Sequence, residues 1–167
     1  CKRVSDTLHF FNYEIPSTSN IIKRAIDAYT IPYVNSLRIN QSTYDLLGTL
    51  ATKYNLGLVT NFAYPPGVYQ VLDRFALRPF FKAIVVSGEI GWKKPSKLIF
   101  DFALSQLSLK PEEAVFVGDD YEADIVGAKN AGMRTVFLCK EPMDREKADI
   151  TIGSLTEFPL TIKQLLQ

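Results

Sequence analysis

A chain of 167 residues with 47% hydrophobic and 22% charged residues is long enough for one packed domain and a small addition. Its net charge of +1 and the absence of a basic run argue against nucleic acid as a partner. No apolar run approaches the roughly 20 residues of a membrane span, and two distant cysteines argue against a disulfide scaffold, so we expect a cytoplasmic protein.

The first part of the chain has helical spacing and no convincing strand. Apolar residues recur at helical intervals from Ile21 to Tyr29, behind Ser19, which is a fair N-cap residue. The stretch from Tyr44 to Ala51 continues this pattern in a further helix. We place a boundary near residue 48, which divides the chain into 1–47 and 48–167.

From residue 56 onward, short apolar runs alternate with amphipathic stretches. Strands are predicted over 56–60, 83–86, 114–117, 135–138 and 150–152. Helices are predicted over 66–75, 96–107, 122–131 and 155–166, the last with an interruption at Pro159 left open. Apolar strands separated by helices predict an α/β fold, in which a parallel sheet has helices on both sides. Ligands of such sheets bind at the carboxyl ends of the strands.

Polar residues follow three of these strands: Thr60, Asn61, Lys94, Asp119, Asp120 and Asp124. Because the ends of parallel strands meet at one edge, we expect these side chains to share a pocket. Carboxylates at this edge can hold Mg²⁺, and a lysine with a threonine hydroxyl can bind phosphoryl oxygens. Each residue alone also has an ordinary structural interpretation. Asp119 and Asp120, for example, could simply cap a helix.

Three strings resemble motifs of the haloacid dehalogenase superfamily. Leu58-Val59-Thr60-Asn61 resembles the second motif, Lys94-Pro95 the third, and Val117 to Asp124, followed by Gly127-Ala128, the fourth. The resemblance covers about residues 46 to 153, and the preceding residues are similar to the second half of the helical cap of many members. It implies a parallel-sheet, Rossmann-like core at 48–167 and a partial helical cap at 1–47.

The resemblance implies a Mg²⁺-dependent phosphatase that acts on a small phosphorylated metabolite through an aspartyl-phosphate. Thr60 would hydrogen-bond the transferring phosphoryl group, helped by the backbone of Asn61. Lys94 would stabilise the nucleophile and the phosphoryl charge. A homodimer is left open as the assembly, and neither nucleic acid nor a membrane is expected as a partner.

The implied metal ligands come from the fourth motif. Asp119 would bind Mg²⁺ directly or through water, and Asp120 or Asp124 would complete the acidic wall. Which of these last two is a direct ligand is left open. The intact Gly118-Asp119-Asp120 string favours a metal and a phosphate over 2-haloacid dehalogenation, because dehalogenases need no metal and commonly replace these acids.

The family's first motif, an apolar strand that ends in Asp-x-Asp and carries the nucleophile, has no counterpart in this sequence. The string Ser5-Asp6-Thr7-Leu8 does not qualify, because Cys1-Lys2-Arg3 is no buried strand and no second Asp flanks Asp6 at the required spacing. We interpret Asp6 as the start of a helix. We expect about 40–60 further N-terminal residues in the natural protein, judged from typical strand–helix unit lengths.

Two other classes of protein are weighed against this prediction. A phospho-receiver domain also gathers Asp, Thr and Lys at strand ends, but its acidic pair comes first, whereas here the order is Thr60, Lys94, Asp119. A non-catalytic remnant agrees with the missing nucleophile. It would not need the retained threonine, lysine and acidic residues. A test of Mg²⁺ binding distinguishes the two classes, because the enzyme is expected to bind the ion and the remnant is not.

Overall fold

The computed structural model describes residues 2–140 and 147–165. Helices and strands follow one another as α1 Lys2–Phe10, α2 Asn20–Ser36, α3 Gln41–Ala51, β1 Leu56–Thr60, α4 Pro65–Arg74, β2 Phe81–Val86, α5 Ser87–Ile90, α6 Lys97–Leu107, β3 Val115–Gly118, α7 Gly127–Asn130, β4 Arg134–Leu138, β5 Ile150–Ile152 and α8 Phe158–Leu165. A π-helical turn, Tyr121–Val126, joins β3 to α7. No helix within the described ranges is both long and apolar enough to cross a membrane.

The local signals in the sequence explain where most elements begin. The hydroxyl of Ser19 accepts a hydrogen bond from the N–H of Ile21 and caps α2, as predicted. Two prolines, Pro65 and Pro66, occupy the first turn of α4, where a missing N–H costs nothing. The predicted strands are confirmed, each within about two residues of its predicted bounds.

Three local predictions are corrected. Asp6 lies in the middle of α1 instead of starting a helix, because the helix already begins at Lys2. The helix predicted over 122–131 is a π-helical turn followed by the short α7, since side-chain bonds of Asp120 and Asp124 shape its first turn. The closing helix α8 runs from Phe158 through Pro159, where proline lies in the first turn, and a 3₁₀ turn precedes it.

The five strands form two parallel sheets and not the single sheet that was predicted. One sheet pairs β1 with β2, and Val59 lies opposite Val85. The other has the order β3-β4-β5, with Phe116 opposite Thr135. Within the described part of the chain, β1 and β3 are each bonded to a strand on one side only. A slot therefore separates their free edges.

Helices on both faces hold the two sheets together. On one face, Phe100 of α6 packs in a cluster that includes Val85 of β2 and the inward side chains Val59 and Phe116 of β1 and β3. On the other face, α3 and α8 contribute a cluster that reaches both sheets: Leu50, Leu56, Val115, Val117, Phe158 and Ile162. The alternation of Val115, Phe116 and Val117 between the faces is that of a strand buried on both sides. The expected α/β architecture is thus confirmed.

The first two helices lie outside these clusters. Helix α2 contacts α4, and its buried Thr30 lies against Gly67 at the start of that helix. The boundary predicted near residue 48 falls inside α3, whose Leu50 packs on the sheets. The division into a cap and a core therefore stays a prediction.

Gly118, the last residue of β3, allows the turn that follows to fold back on the strand. A Cβ at this position would lie 2.2 Å from Oδ2 of Asp124, which is closer than any real contact. In α3, by contrast, a Cβ on Gly48 would meet only Phe80 at 4.0 Å. The close approach of Asp124 to the end of β3 thus requires glycine at position 118. At position 48 the surroundings leave space for a side chain.

We predict that Gly118→Ala lowers the free energy of unfolding by about 1–3 kcal/mol, because the added methyl must displace the carboxylate of Asp124. Gly48→Ala is the matched control, and it should be neutral or stabilising by up to about 1 kcal/mol in a helix interior. Urea unfolding of both variants measures the difference. Equal effects of the two changes would contradict the steric argument.

Asp149, at the start of β5, ties that strand to β4 and α7. Its carboxylate accepts hydrogen bonds from Lys129 and from the N–H and hydroxyl of Thr135. Partial burial raises the pKa of Asp149, but the bonds from Lys129 and Thr135 outweigh it and hold this pKa below its ordinary value. The carboxylate is therefore stabilised by folding only in its charged form.

We predict that Asp149→Asn lowers the free energy of unfolding at pH 7 by roughly 1–3 kcal/mol, the usual value of hydrogen bonds to a charged group. In the native chain this stabilisation is complete above the ordinary carboxyl pKa of about 4 and disappears as the pH falls through the lower folded value. The free energy of unfolding, measured at several pH values between 7 and 3, should therefore change less with pH in the variant than in the native chain. Asp101→Asn, at an exposed pair with Lys97, should change little. A pH dependence identical to that of the native chain would contradict the prediction.

Candidate active site

The slot between the two sheets is a cavity of about 670 Å³. Its walls are the free edges of β1 and β3, with α3, α6 and α8 above and below, and most of its lining is apolar. At the carboxyl ends of the strands the lining becomes polar and includes Val59, Lys94, Gly118, Asp119 and Asp124. The polar end of the slot is where the sequence predicts the binding site.

Lys94 brings its ammonium into the slot. The Nζ atom lies 2.6 Å from Oδ1 of Asp124 and donates a 3.1 Å hydrogen bond to the carbonyl of Val59, on the free edge of β1. It also lies 5.4 Å from the ring centre of Phe116, a cation–π distance. The side chains of Lys94 and Asp124 are only 11% and 6% exposed, so water screens their interaction weakly. The ammonium of Lys94 and the carboxylate of Asp124 therefore form a largely buried ion pair at the strand ends.

The three acidic residues after β3 differ in their surroundings. Asp124 is buried, and its Oδ2 accepts the N–H of Asp120 at 3.1 Å. Its Oδ1 touches the Lys94 ammonium but receives no well-aligned hydrogen bond. Asp120 is exposed and uses its carboxylate to cap the following turn at the N–H of Ala123. Asp119 is exposed and lines the slot. Two carboxylates, Asp119 and Asp124, thus face the cavity, while Asp120 is engaged at the turn.

Thr60 and Asn61 lie at the end of β1, and the structure adds a role for Asn61 that the sequence did not suggest. Thr60 is half-buried and pairs with Val86 across the strands. The Asn61 side chain forms two hydrogen bonds with the backbone of Lys94. Its Oδ1 accepts the Lys94 N–H at 2.8 Å, and its Nδ2 donates to the Lys94 carbonyl at 2.9 Å. Of the six predicted residues, Lys94, Asp119 and Asp124 line the slot, whereas Thr60, Asn61 and Asp120 lie beside it and are not part of its lining.

The carboxylates at the polar end of the slot could bind a metal ion, but they do not supply all the ligands that the ion needs. Among residues 2–140 and 147–165, no three His, Cys, Asp or Glu side chains are grouped to hold a metal. Oδ1 of the buried Asp124, which contacts the Lys94 ammonium, and the exposed carboxylate of Asp119 are the hard ligands that Mg²⁺ prefers. These two residues fit a magnesium ion whose remaining ligands are waters, phosphate or another carboxylate.

The chain is similar to several known hydrolases. It is 34% identical to the glyceraldehyde 3-phosphate phosphatase of Methanothermobacter thermautotrophicus, over 68% of this chain and 50% of that protein. A HAD hydrolase of Bacillus subtilis, YfnB, whose crystal structure is bound to magnesium, shares the fold with a TM-score of 0.75. The identity is 25%, with 96% of this chain and 69% of that chain covered.

A dehalogenase is also among the similar structures. The 2-haloacid dehalogenase of Pseudomonas syringae pv. Tomato DC3000 has a TM-score of 0.69 and 26% identity, over 77% of this chain and 55% of that one. The chain spans about half the length of the glyceraldehyde 3-phosphate phosphatases that it matches.

The family model described as haloacid dehalogenase-like hydrolase matches residues 5–138, which is most of the chain and includes both sheets' inner strands. The fold, the order of the polar strand ends and the relatives agree with that match. This chain belongs to the haloacid dehalogenase-like hydrolase family.

Proposed function

We propose that this chain is part of a Mg²⁺-dependent phosphatase that hydrolyses a small phosphorylated metabolite through an aspartyl-phosphate. The observation that carries the proposal is the largely buried Lys94 ammonium, which lies at the strand ends beside Asp119 and Asp124. Relatives named as phosphatases support the same reaction class.

The proposed roles follow from what each side chain offers. The Lys94 ammonium would attract the phosphoryl oxygens and keep a nearby nucleophilic carboxylate ionised. The hydroxyl of Thr60, at the end of β1, would donate a hydrogen bond to another phosphoryl oxygen. Val59, whose carbonyl holds the Lys94 ammonium, and Thr60 both belong to a paired strand. The ammonium and the Thr60 hydroxyl would therefore be in place before the substrate arrives.

The charges at the slot favour a divalent cation. Lys94 neutralises one of the two carboxylates that face the cavity, and the other leaves a net negative charge. A phosphate dianion would be repelled from such a pocket. We propose that Asp119 and Asp124 hold Mg²⁺, with Asp120 kept at its turn. Bound there, the ion would neutralise phosphate charge and orient it for in-line attack. The magnesium-bound structure of YfnB supports this choice of metal.

The reaction also needs a nucleophilic carboxylate, and we infer that it would arrive on an extended segment in the slot. The slot has strand edges on both sides and apolar walls, so it suits an apolar parallel strand whose end would lie beside Lys94. Attack by its carboxylate on phosphorus would release the alcohol, and water would then cleave the acyl phosphate to free phosphate. The longer lengths of the relatives are consistent with such a segment.

A 2-haloacid dehalogenase is the second candidate, because one similar structure carries that activity. It would use the same carboxylate nucleophile on carbon and would not require the metal. The two carboxylates that face the slot have no purpose in that reaction, which favours the phosphatase. A non-catalytic role would likewise leave the buried Lys94–Asp124 pair unexplained. The cytoplasmic location and the homodimer stay predictions.

We predict that the full natural reading frame hydrolyses para-nitrophenyl phosphate only with Mg²⁺, and that Asp119→Ala lowers kcat/KM at least about 100-fold. Asp101→Ala, an exposed aspartate on α6, is the matched control and should retain activity. Turnover that persists without metal would contradict the Mg²⁺ proposal. Chloride release from 2-chloropropionate without phosphate release would favour the dehalogenase instead.

A further inference from the structure

We propose that Asn61 is a positioning residue, whose side-chain amide holds the backbone of Lys94 so that the ammonium stays aimed at the phosphoryl group. The catalytic consequence rests on the function proposed above, whereas the positioning itself does not. Nothing in the sequence pattern indicated this role, since Asn61 was expected to act through its backbone.

The geometry of the amide carries the inference. Asn61 accepts the N–H of Lys94 at 2.8 Å and donates to the carbonyl of the same residue at 2.9 Å. These two groups flank the Cα from which the lysine side chain extends. An amide that bonds both of them restricts the two backbone torsions of Lys94, as a neighbouring strand would. Asn61 thus fixes the base of the lysine, while Val59 and Asp124 hold its tip.

Asn61 is exposed, but its loop is anchored at the next residue. It directly follows β1, and the next carbonyl, that of Phe62, accepts the N–H of Gly88 at 3.1 Å and the hydroxyl of Ser87 at 3.4 Å. A Cβ on Gly88 would lie 2.8 Å from that carbonyl, so the loop is packed closely against the end of β2. The loop after β1 therefore connects the end of β2 to the loop that carries Lys94.

The loop of Lys94 depends on this connection. Among the residues that the structure describes, the backbone N–H and carbonyl of Lys94 have no hydrogen-bond partner except the Asn61 amide. Neighbouring Trp92, Lys93 and Pro95 are exposed, although the Cα of Pro95 lies against Gly127 of α7. Removing the amide should therefore let the loop and the ammonium move, and a displacement of about 1 Å at a reacting group can cost 100-fold in rate.

The first test needs no enzymatic activity. The full natural reading frame and its Asn61→Ala variant are labelled with trace acetic anhydride, and the acetylation rate of each lysine is read by peptide mass spectrometry. We expect Lys94 to react about tenfold faster in the variant, because loosening the loop exposes a side chain that is 11% exposed in the native chain. Lys129, held by Asp149, should keep its rate and reports general unfolding. Asn130→Ala, an exposed asparagine on α7, is the matched control.

An unchanged Lys94 rate in the folded Asn61→Ala variant overturns the proposal. If Lys94 and Lys129 both accelerate, the variant has unfolded, and Asn61→Asp then decides. That change keeps an acceptor for the Lys94 N–H and replaces the donor by a charged oxygen that repels the Lys94 carbonyl, so it should accelerate Lys94 alone. If it leaves the rate of Lys94 unchanged, the proposal is also overturned.

The second test applies to the active enzyme and separates positioning from substrate binding. Asn61→Ala should lower kcat roughly 10–100-fold with a smaller rise in KM, because the displaced ammonium acts both on the bound phosphoryl group and on the reaction. In a Lys94→Met background the same change should lower kcat less than about 2-fold, since the residue it positions is gone. If Asn61→Ala lowers kcat by the same factor in the Lys94→Met background as in the native enzyme, the positioning role is overturned. Absence of phosphatase activity in every form would reject the proposed function and leave the labelling result to decide the role of Asn61.

Discussion

The buried contact between the Lys94 ammonium and the Asp124 carboxylate sets the conditions for the rest of the site. Two charges out of water are costly unless each is paired and further hydrogen-bonded. The carbonyl of Val59 and the N–H of Asp120 supply those bonds, so both strand ends must keep their backbones in place. Glycine at 118 is needed because the carboxylate lies directly on its strand. The ion pair thus constrains the two sheets at one end.

Away from that end, the two sheets are joined by helices and not by strand pairing. Phe100 of α6 packs on strands of both sheets from one face, and Phe158 of α8 does so from the other. Side-chain packing of this kind does not require the two strand edges to meet. It explains how a cavity can persist between β1 and β3 in a tightly packed interior.

Much of this structure could be predicted from the sequence, because its signals are local. Apolar runs predicted the strands, and Ser19 and Pro66 indicated where helices begin. The convergence of parallel strand ends predicted that Lys94 lies near the acidic residues. What could not be predicted depends on contacts distant in sequence. The amide of Asn61, for example, meets a backbone 33 residues away. The proposed preference for Asp124 over Asp120 as a metal ligand rests on which carboxylate is buried, and burial depends on such distant contacts.

The slot also bears on how this chain would associate with others. Unpaired strand edges are templates for intermolecular β-pairing, and outer edges such as those of β2 and β5 can recruit strand after strand. The inner edges differ, because helices cover both faces and a second strand edge lies opposite. An extended segment that paired with both edges there would leave no new edge. Pairing at this position therefore terminates after one strand, so it completes a sheet and does not start a fibre.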